Sequence, residues 1–202
     1  MSARQIMNSD DFKRCEAFHG HVCGGLAIGY VAATAGMDWL RGKRALDEEL
    51  VAIVETDACC VDAIQVLTGC TFGKGNLIYR DYGKMGFTFF NRRTGEGVRL
   101  AMKPDTIRGN ERQIELFKKT REGSITDAEK AELETVGMQR TAKVLDTRAE
   151  DLFSMTPVSA GMPDKARIEP SKLCFRCGEP TMASKLVSVD GQAVCRGCLT
   201  EG

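Results

Sequence analysis

Both histidines of this 202-residue chain fall in one pentapeptide, His19-Gly20-His21-Val22-Cys23. In an extended segment, residues two apart face the same way, so both imidazoles and the thiol could reach one ion. Imidazole together with thiolate suits zinc, nickel, copper or iron. Cys23 also stands where a helix should begin, and the positive end of a helix favours the thiolate. Cys59 and Cys60 follow an expected strand and open a second helix, so they could approach the same place. The candidate core metal site is therefore His19, His21, Cys23 and Cys59. The competing reading is a pair of hydrogen-bonded turn histidines beside buried cysteines. If the site is catalytic, Cys23, Cys59, His21 and Lys74 are the candidates. A Cys23–His21 dyad is conceivable. Residues two apart rarely hold thiol and imidazole in hydrogen-bond range while both face a shared ion, so ligation is preferred to covalent catalysis.

A second constellation lies in the tail: Cys174-Phe-Arg-Cys177, seventeen residues, then Cys195-Arg-Gly-Cys198. Two residues between cysteines let one tight turn aim both sulfurs at a common point, and two such turns complete a tetrahedron of thiolates. Lys185 to Val194 reads as a hairpin turning at Asp190-Gly191. About forty residues cannot bury a core of their own, so a metal should supply the folding energy. Four thiolates close the coordination shell, which makes this zinc structural. Two disulfides or redox pairs are the competing reading, and no thioredoxin-like βαβ unit surrounds either pair. From Asp164 to Gly202 there are six Lys or Arg and five Asp or Glu. That balance argues for contacts with protein rather than nucleic acid, since phosphate binding normally needs a basic surface.

The Gly-rich stretch Thr68 to Asn76 is not a P-loop. Thr68 stands where the first glycine is needed, and Gly75 where Ser or Thr should follow the lysine. A turn offering backbone N–H groups and Lys74 to an anion is still an option, against a plain structural turn. Lys74 and Asp62 are thus candidate ligand-binding residues, with Asp81 and Lys84 nearby and a solvated surface as the alternative for each.

These residues need elements to place them. Asp11 to Phe18 reads as a short helix, and Cys23 to Leu40, rich in glycine and alanine, as a buried helix that lets another backbone come close. Leu50 to Thr56 is a strand, and Asp57 could cap a helix through Cys60 to Leu67. Antiparallel strands are expected at 77–80, 85–92 and 98–102, helices at 108–121 and 127–146, and a last strand at 152–158. Thr126 and Glu129 have capping-box spacing. Pro157, Gly161, Pro163 and Pro170 break any regular pattern. The fold class is α+β, an antiparallel sheet with packed helices, plus a small C-terminal four-cysteine zinc-ribbon or treble-clef-like domain. The expected division is a core at 1–158, a linker at 159–171 and a zinc-finger domain at 172–202.

Composition narrows the function classes. Hydrophobic residues make up 43% and charged residues 28%, an ordinary globular profile. With 28 basic and 28 acidic residues the formal charge is zero, which gives no support for a general nucleic-acid or membrane-surface binder. No apolar run is long enough for a transmembrane helix, and Met1 to Asp11 lacks the apolar stretch of a signal peptide. A cytoplasmic location is the default expectation. Nine cysteines, five of them between Cys15 and Cys70, then point to metal ligation, reactive thiols or burial rather than a disulfide framework.

Three blocks carry a family resemblance: Phe18 to Gly25 (FHGHVCGG), Cys59 to Gln65 (CCVDAIQ) and Thr68 to Leu77 (TGCTFGKGNL), followed by Arg80-Asp81-Tyr82-Gly83-Lys84. They resemble the FmdE family, named for its association with formylmethanofuran dehydrogenase, in the order that family shows. The resemblance implies an α+β core, often in an intertwined homodimer, with a C-terminal zinc finger in some members. It places His21, Cys23 and Cys59 in the metal or active site with His19 beside them. Gly24 departs from the proline usual after the cysteine, which loosens the backbone but removes no ligand. Three functions follow as expectations. The chain could be a metal-handling protein with a second transition metal in the core. It could be a subunit or accessory of a molybdenum or tungsten oxidoreductase, or a non-enzymatic regulatory, metal-sensing, nucleic-acid-binding or protein-interaction protein that uses its zinc finger.

Overall fold

The computed structural model describes residues 1–104, 106 and 111–200. The chain forms two compact units, Met1–Lys165 and Ala166–Gly202.

In the first unit, α1 (Ala3–Met7) opens with a Ser2/Gln5 capping box. α2 (Asp10–His19) starts at the Ser9 cap and stops at Gly20, whose φ of 94° only glycine adopts without strain. α3 (Gly24–Trp39) follows, capped by the Cys23 thiol. β1 (Leu50–Val54) leads to α4 (Cys60–Thr68), which ends on left-handed Gly69. β2 (Leu77–Tyr79), β3 (Gly86–Asn91) and β4 (Gly97–Met102) come next, then α5 (Glu111–Arg121), α6 (Asp127–Asp146), α7 (Ala149–Leu152) and β5 (Phe153–Val158). The Thr126/Glu129 capping box of α6 forms as its spacing predicts. The expected helix start at 108–110 lies outside the described residues.

One sheet runs in the order β2-β1-β3-β4-β5. Its pairs are antiparallel except β1–β2, which are parallel, with Ala52 opposite Leu77. The expectation of an antiparallel strand at 77–80 is corrected here. A helix lies between β1 and β2, and a strand–helix–strand crossover returns the chain in the same direction. Asp57 is likewise not the cap of α4. That position is Cys59, which makes no side-chain capping bond.

Helices cover one face of the sheet. α3 packs on β3 and β4 and α4 on β1, with α2 against α4 and α6 against α3. The core between them holds Leu26, Ile64, Phe87, Phe89 and Leu100, each at most 2% exposed. On the other face Val51, Ile53 and Phe90 form a smaller cluster with Ile78, Val158 and Met162. Arg92 ties the segment after β5 to this face, donating to the carbonyls of Pro163 and Asp164 at 2.6 and 2.9 Å.

Two devices fix the packing near the His/Cys residues. A side chain at Gly29 of α3 would overlap the carbonyl of Cys60, and one at Gly25 would lie 2.9 Å from the Cys59 β-carbon. The start of α4 therefore rests directly on the α3 backbone. Buried Asn76 holds the Gly-rich turn: its amide donates to the carbonyls of Asp47 and Leu50, at 3.1 and 3.0 Å, and its oxygen accepts from the Thr71 N–H at 2.9 Å. Across the sheet, Arg99 grips Glu55 with two hydrogen bonds of 2.9 and 2.8 Å. The guanidinium holds the Glu55 carboxyl below the usual carboxylate range against the opposing pull of burial.

Gly29→Ala should be destabilising by about 1–3 kcal/mol or more through overpacking, read as a lowered denaturation midpoint. Glu55 is stabilising above its unfolded-state pKa, and that contribution is lost as pH falls through the depressed folded value. Glu55→Gln should therefore lower the melting temperature at pH 7, and the difference from wild type should shrink as the pH falls below the usual carboxylate range, in thermal melts at a series of pH values.

Candidate metal centre

The core site is built at the meeting of three helix ends. His19 is the last residue of α2, Gly20 reverses the chain, His21 lies in the connection, and Cys23 caps α3. One ligand atom from each of His19, His21 and Cys23 lies within 4.8 Å of the others. The sequence suggests a single extended segment to gather them. Instead the left-handed turn at Gly20 folds His21 back, so that the two imidazole centroids sit 4.5 Å apart. The Cys23 sulfur is 3.7 Å from His19 Nε2 and accepts the Leu26 N–H at 3.3 Å, an N-cap bond in which the helix end faces the sulfur.

Asp62 stands behind His19, its Oδ2 2.7 Å from Nδ1. The Asp62 carboxylate occupies Nδ1, which leaves Nε2 as the ring nitrogen that faces Cys23. From its sequence neighbours Asp62 belongs near an anion-binding turn. The structure instead makes it the group that orients a ligand-competent imidazole. Helix spacing holds the signal, because residues 59 and 62 at the start of α4 are three apart and share a face.

Cys59 lies beside the group without joining the three ligand atoms that meet within 4.8 Å. Its thiol and that of Cys23 both line the space over Gly25, 3.6 and 3.8 Å from where a β-carbon there would be. Burial, and next the Cys23 thiol, push the Cys59 pKa up. Cys60 is buried against the Ala58 carbonyl and the Met85 sulfur, and burial pushes it up to about 12. Cys15, pushed up to about 11, and Cys70 are equally enclosed. Lys74 donates to the Ala45 carbonyl at 3.4 Å. A cavity of about 180 Å³ opens beside Asp62, walled by Val54, Val61, Phe72 and Tyr79 with Asp57 and Gln65 at its polar side.

The tail unit builds the second site. β6 (Ser171–Leu173) and β7 (Pro180–Met182) flank Cys174 and Cys177, and β8 (Leu186–Val189) and β9 (Gln192–Cys195) lead into α8 (Gly197–Thr200) with Cys198. The hairpin turns at Asp190-Gly191, both at positive φ, as its sequence predicts. The Phe175 N–H donates to the Ala193 carbonyl at 2.8 Å and joins the two halves. All four sulfurs lie within 4.8 Å of one another. Tetrahedral thiolates about 2.3 Å from zinc would stand roughly 3.8 Å apart, and Cys177 and Cys195 are 3.9 Å apart. Backbone N–H groups of Cys177 and Cys195 hold the Cys174 thiol down at about 6, whereas the surrounding sulfurs push Cys198 up to about 12. Gathered thiolates repel one another, and a cation among them removes that penalty. This donor set fits a metal ion.

Among the described residues, no helix is long and apolar enough to cross a membrane.

Known proteins carry related architecture. The crystal structure of a tungsten formylmethanofuran dehydrogenase FmdE-like protein from Syntrophus aciditrophicus superposes with a TM-score of 0.64 at 25% identity, covering 100% of this chain and 98% of that one. A "Probable S-adenosyl-L-methionine-binding protein" of Archaeoglobus fulgidus is 34% identical over 182 residues, 86% of this chain. The chain spans about half (49%) of that relative's length. The profile of the family described as "FmdE, Molybdenum formylmethanofuran dehydrogenase operon" matches residues 18–154, a span that contains the histidine pentapeptide, Cys59 and Asp62. This chain belongs to the FmdE family.

Proposed function

We propose that this FmdE-family chain binds a transition metal in its core and serves as a subunit or accessory factor of a molybdenum or tungsten formylmethanofuran dehydrogenase-type system. The convergence of His19, His21 and Cys23 within 4.8 Å carries the reading. The Asp62 carboxylate supports it, because ligating imidazoles are commonly held by such a partner through the other ring nitrogen. Cys59 is the nearest further thiolate and would supply a fourth ligand. When bound, the ion would supply Lewis-acid or redox chemistry beside the cavity flanked by Phe72 and Tyr79. The four tail cysteines would hold a structural zinc. Family likeness is the ground for a homodimer and for an oxidoreductase partner.

A second reading, a regulatory or protein-interaction role for the tail, has its own observation. The tail exposes the apolar side chains of Ile168, Leu173, Phe175, Val187 and Leu199, which a protein partner could cover.

Two measurements test these readings. Purified full-length protein should carry two metal ions per chain by elemental analysis, and His21→Ala or Cys23→Ala should leave one. A single ion per chain, unaffected by either change, removes the core site. Deleting residues 166–202 should keep the core ion and abolish partner capture if the tail is the contact surface. Undiminished capture by the truncated chain ends the interaction reading.

A further inference from the structure

We infer that the loop between α3 and β1 is a binding site for a small organic diphosphate. The loop borders a cleft of about 390 Å³, inside the usual range for small-molecule sites. Four cations line it, Arg41, Lys43, Arg44 and Arg93, against one acid, Glu49. In a chain of zero formal charge that is a concentrated field.

The cations are available. Among the described residues, the side chains of Arg41, Lys43 and Arg93 have no hydrogen bond or ion pair, and Arg44 uses only Nε, donating to the Val66 carbonyl at 2.9 Å. The one acid is engaged: Glu49 accepts the Asp47 N–H at 2.9 Å. Among the described residues, the backbone N–H groups of Lys43 and Arg44 also have no protein acceptor, which leaves two more donors for an anion. Behind the loop, Lys74 approaches the Ala45 carbonyl and adds a fifth positive charge.

The backbone is a second, independent observation. α3 ends in a Schellman turn, with the Gly42 N–H on the Met37 carbonyl at 2.9 Å and the Arg41 N–H on that of Asp38 at 3.1 Å. The left-handed position of that turn is normally glycine. Here it is Arg41, at φ 44°, while Gly42 comes one place later. Apart from Asp190 in its hairpin turn, Arg41 is the one non-glycine residue at positive φ among the described residues. A strained arginine aimed at a cleft is how a clamp residue is held.

Charge count and shape set the ligand class. Guanidinium forks match phosphate oxygens in pairs, and four cations exceed the need of a monoanion. Exposed Leu46 at the rim and Leu50 on the wall offer apolar surface to an organic group joined to the phosphates.

Full-length protein titrated with inorganic pyrophosphate at about 0.15 M salt should show saturable one-to-one binding by calorimetry, weakened as salt rises. Arg41→Gly removes the fork and relieves the backbone strain, so it should weaken binding about 10-fold or more while the melting temperature holds or rises. Arg93→Ala should weaken it comparably. Equal affinity in wild type and both variants, or no saturation by about 10 mM pyrophosphate, already a weak limit on the affinity scale, overturns the site. Binding of a single-stranded oligonucleotide that pyrophosphate does not displace overturns the ligand class.

Discussion

The contact on which the core site depends is the one made where α3 has no side chains. Gly25 and Gly29 are four apart, on one helix face, and α4 begins against them. A methyl group at either place would push α4 outward. The start of α4 carries Cys59 toward Cys23 and Asp62 toward His19, so the separation of two helix axes sets how closely these two residues approach the His19, His21 and Cys23 group. The helix ends converge for the same reason: α2 stops and α3 starts within a few residues, and their termini meet the start of α4. Two of these ends, the starts of α3 and α4, are N-termini and bring the positive ends of their dipoles to one place. That is a setting in which thiols and imidazoles can act as ligands rather than as core filler.

The sheet supplies the rigidity behind this arrangement. β1 is its second strand, paired on both edges, and leads straight into the α4 segment. Asn76 and the Glu55–Arg99 pair lock the connections at either end of β1, one through three neutral hydrogen bonds and one through a guanidinium fork. Buried polar groups are expensive unless satisfied, so both sites specify one register rather than merely adding stability.

Much of this is legible in the residues. The glycine-rich run announces a helix that something else approaches closely, and the paired Cys-x-x-Cys knuckles announce four converging sulfurs. Strand direction at 77–79 is misread from periodicity, which reports which face is buried and not which way the chain runs. The intervening helix does hold that information. α1 escapes notice since five residues are too few to show a period, although Ser2 and Gln5 carry its cap. The role of Asp62 is hidden by distance along the chain, 43 residues from its histidine. Likewise, Arg41 looks like any charged loop residue until its φ is known.

The two donor groups differ in how far along the chain their members come. His19, His21 and Cys23 sit within one pentapeptide, so gathering them closes almost no loop, and the surrounding helices do the rest. The tail sulfurs span Cys174 to Cys198, and the unit they belong to buries little besides Cys174 and Val194. Closing a longer loop removes more freedom from the unfolded chain. An ion among the tail sulfurs would therefore act as a cross-link on which that unit's shape rests. One at the histidines would be a guest in a scaffold already standing, free to exchange without the core coming apart.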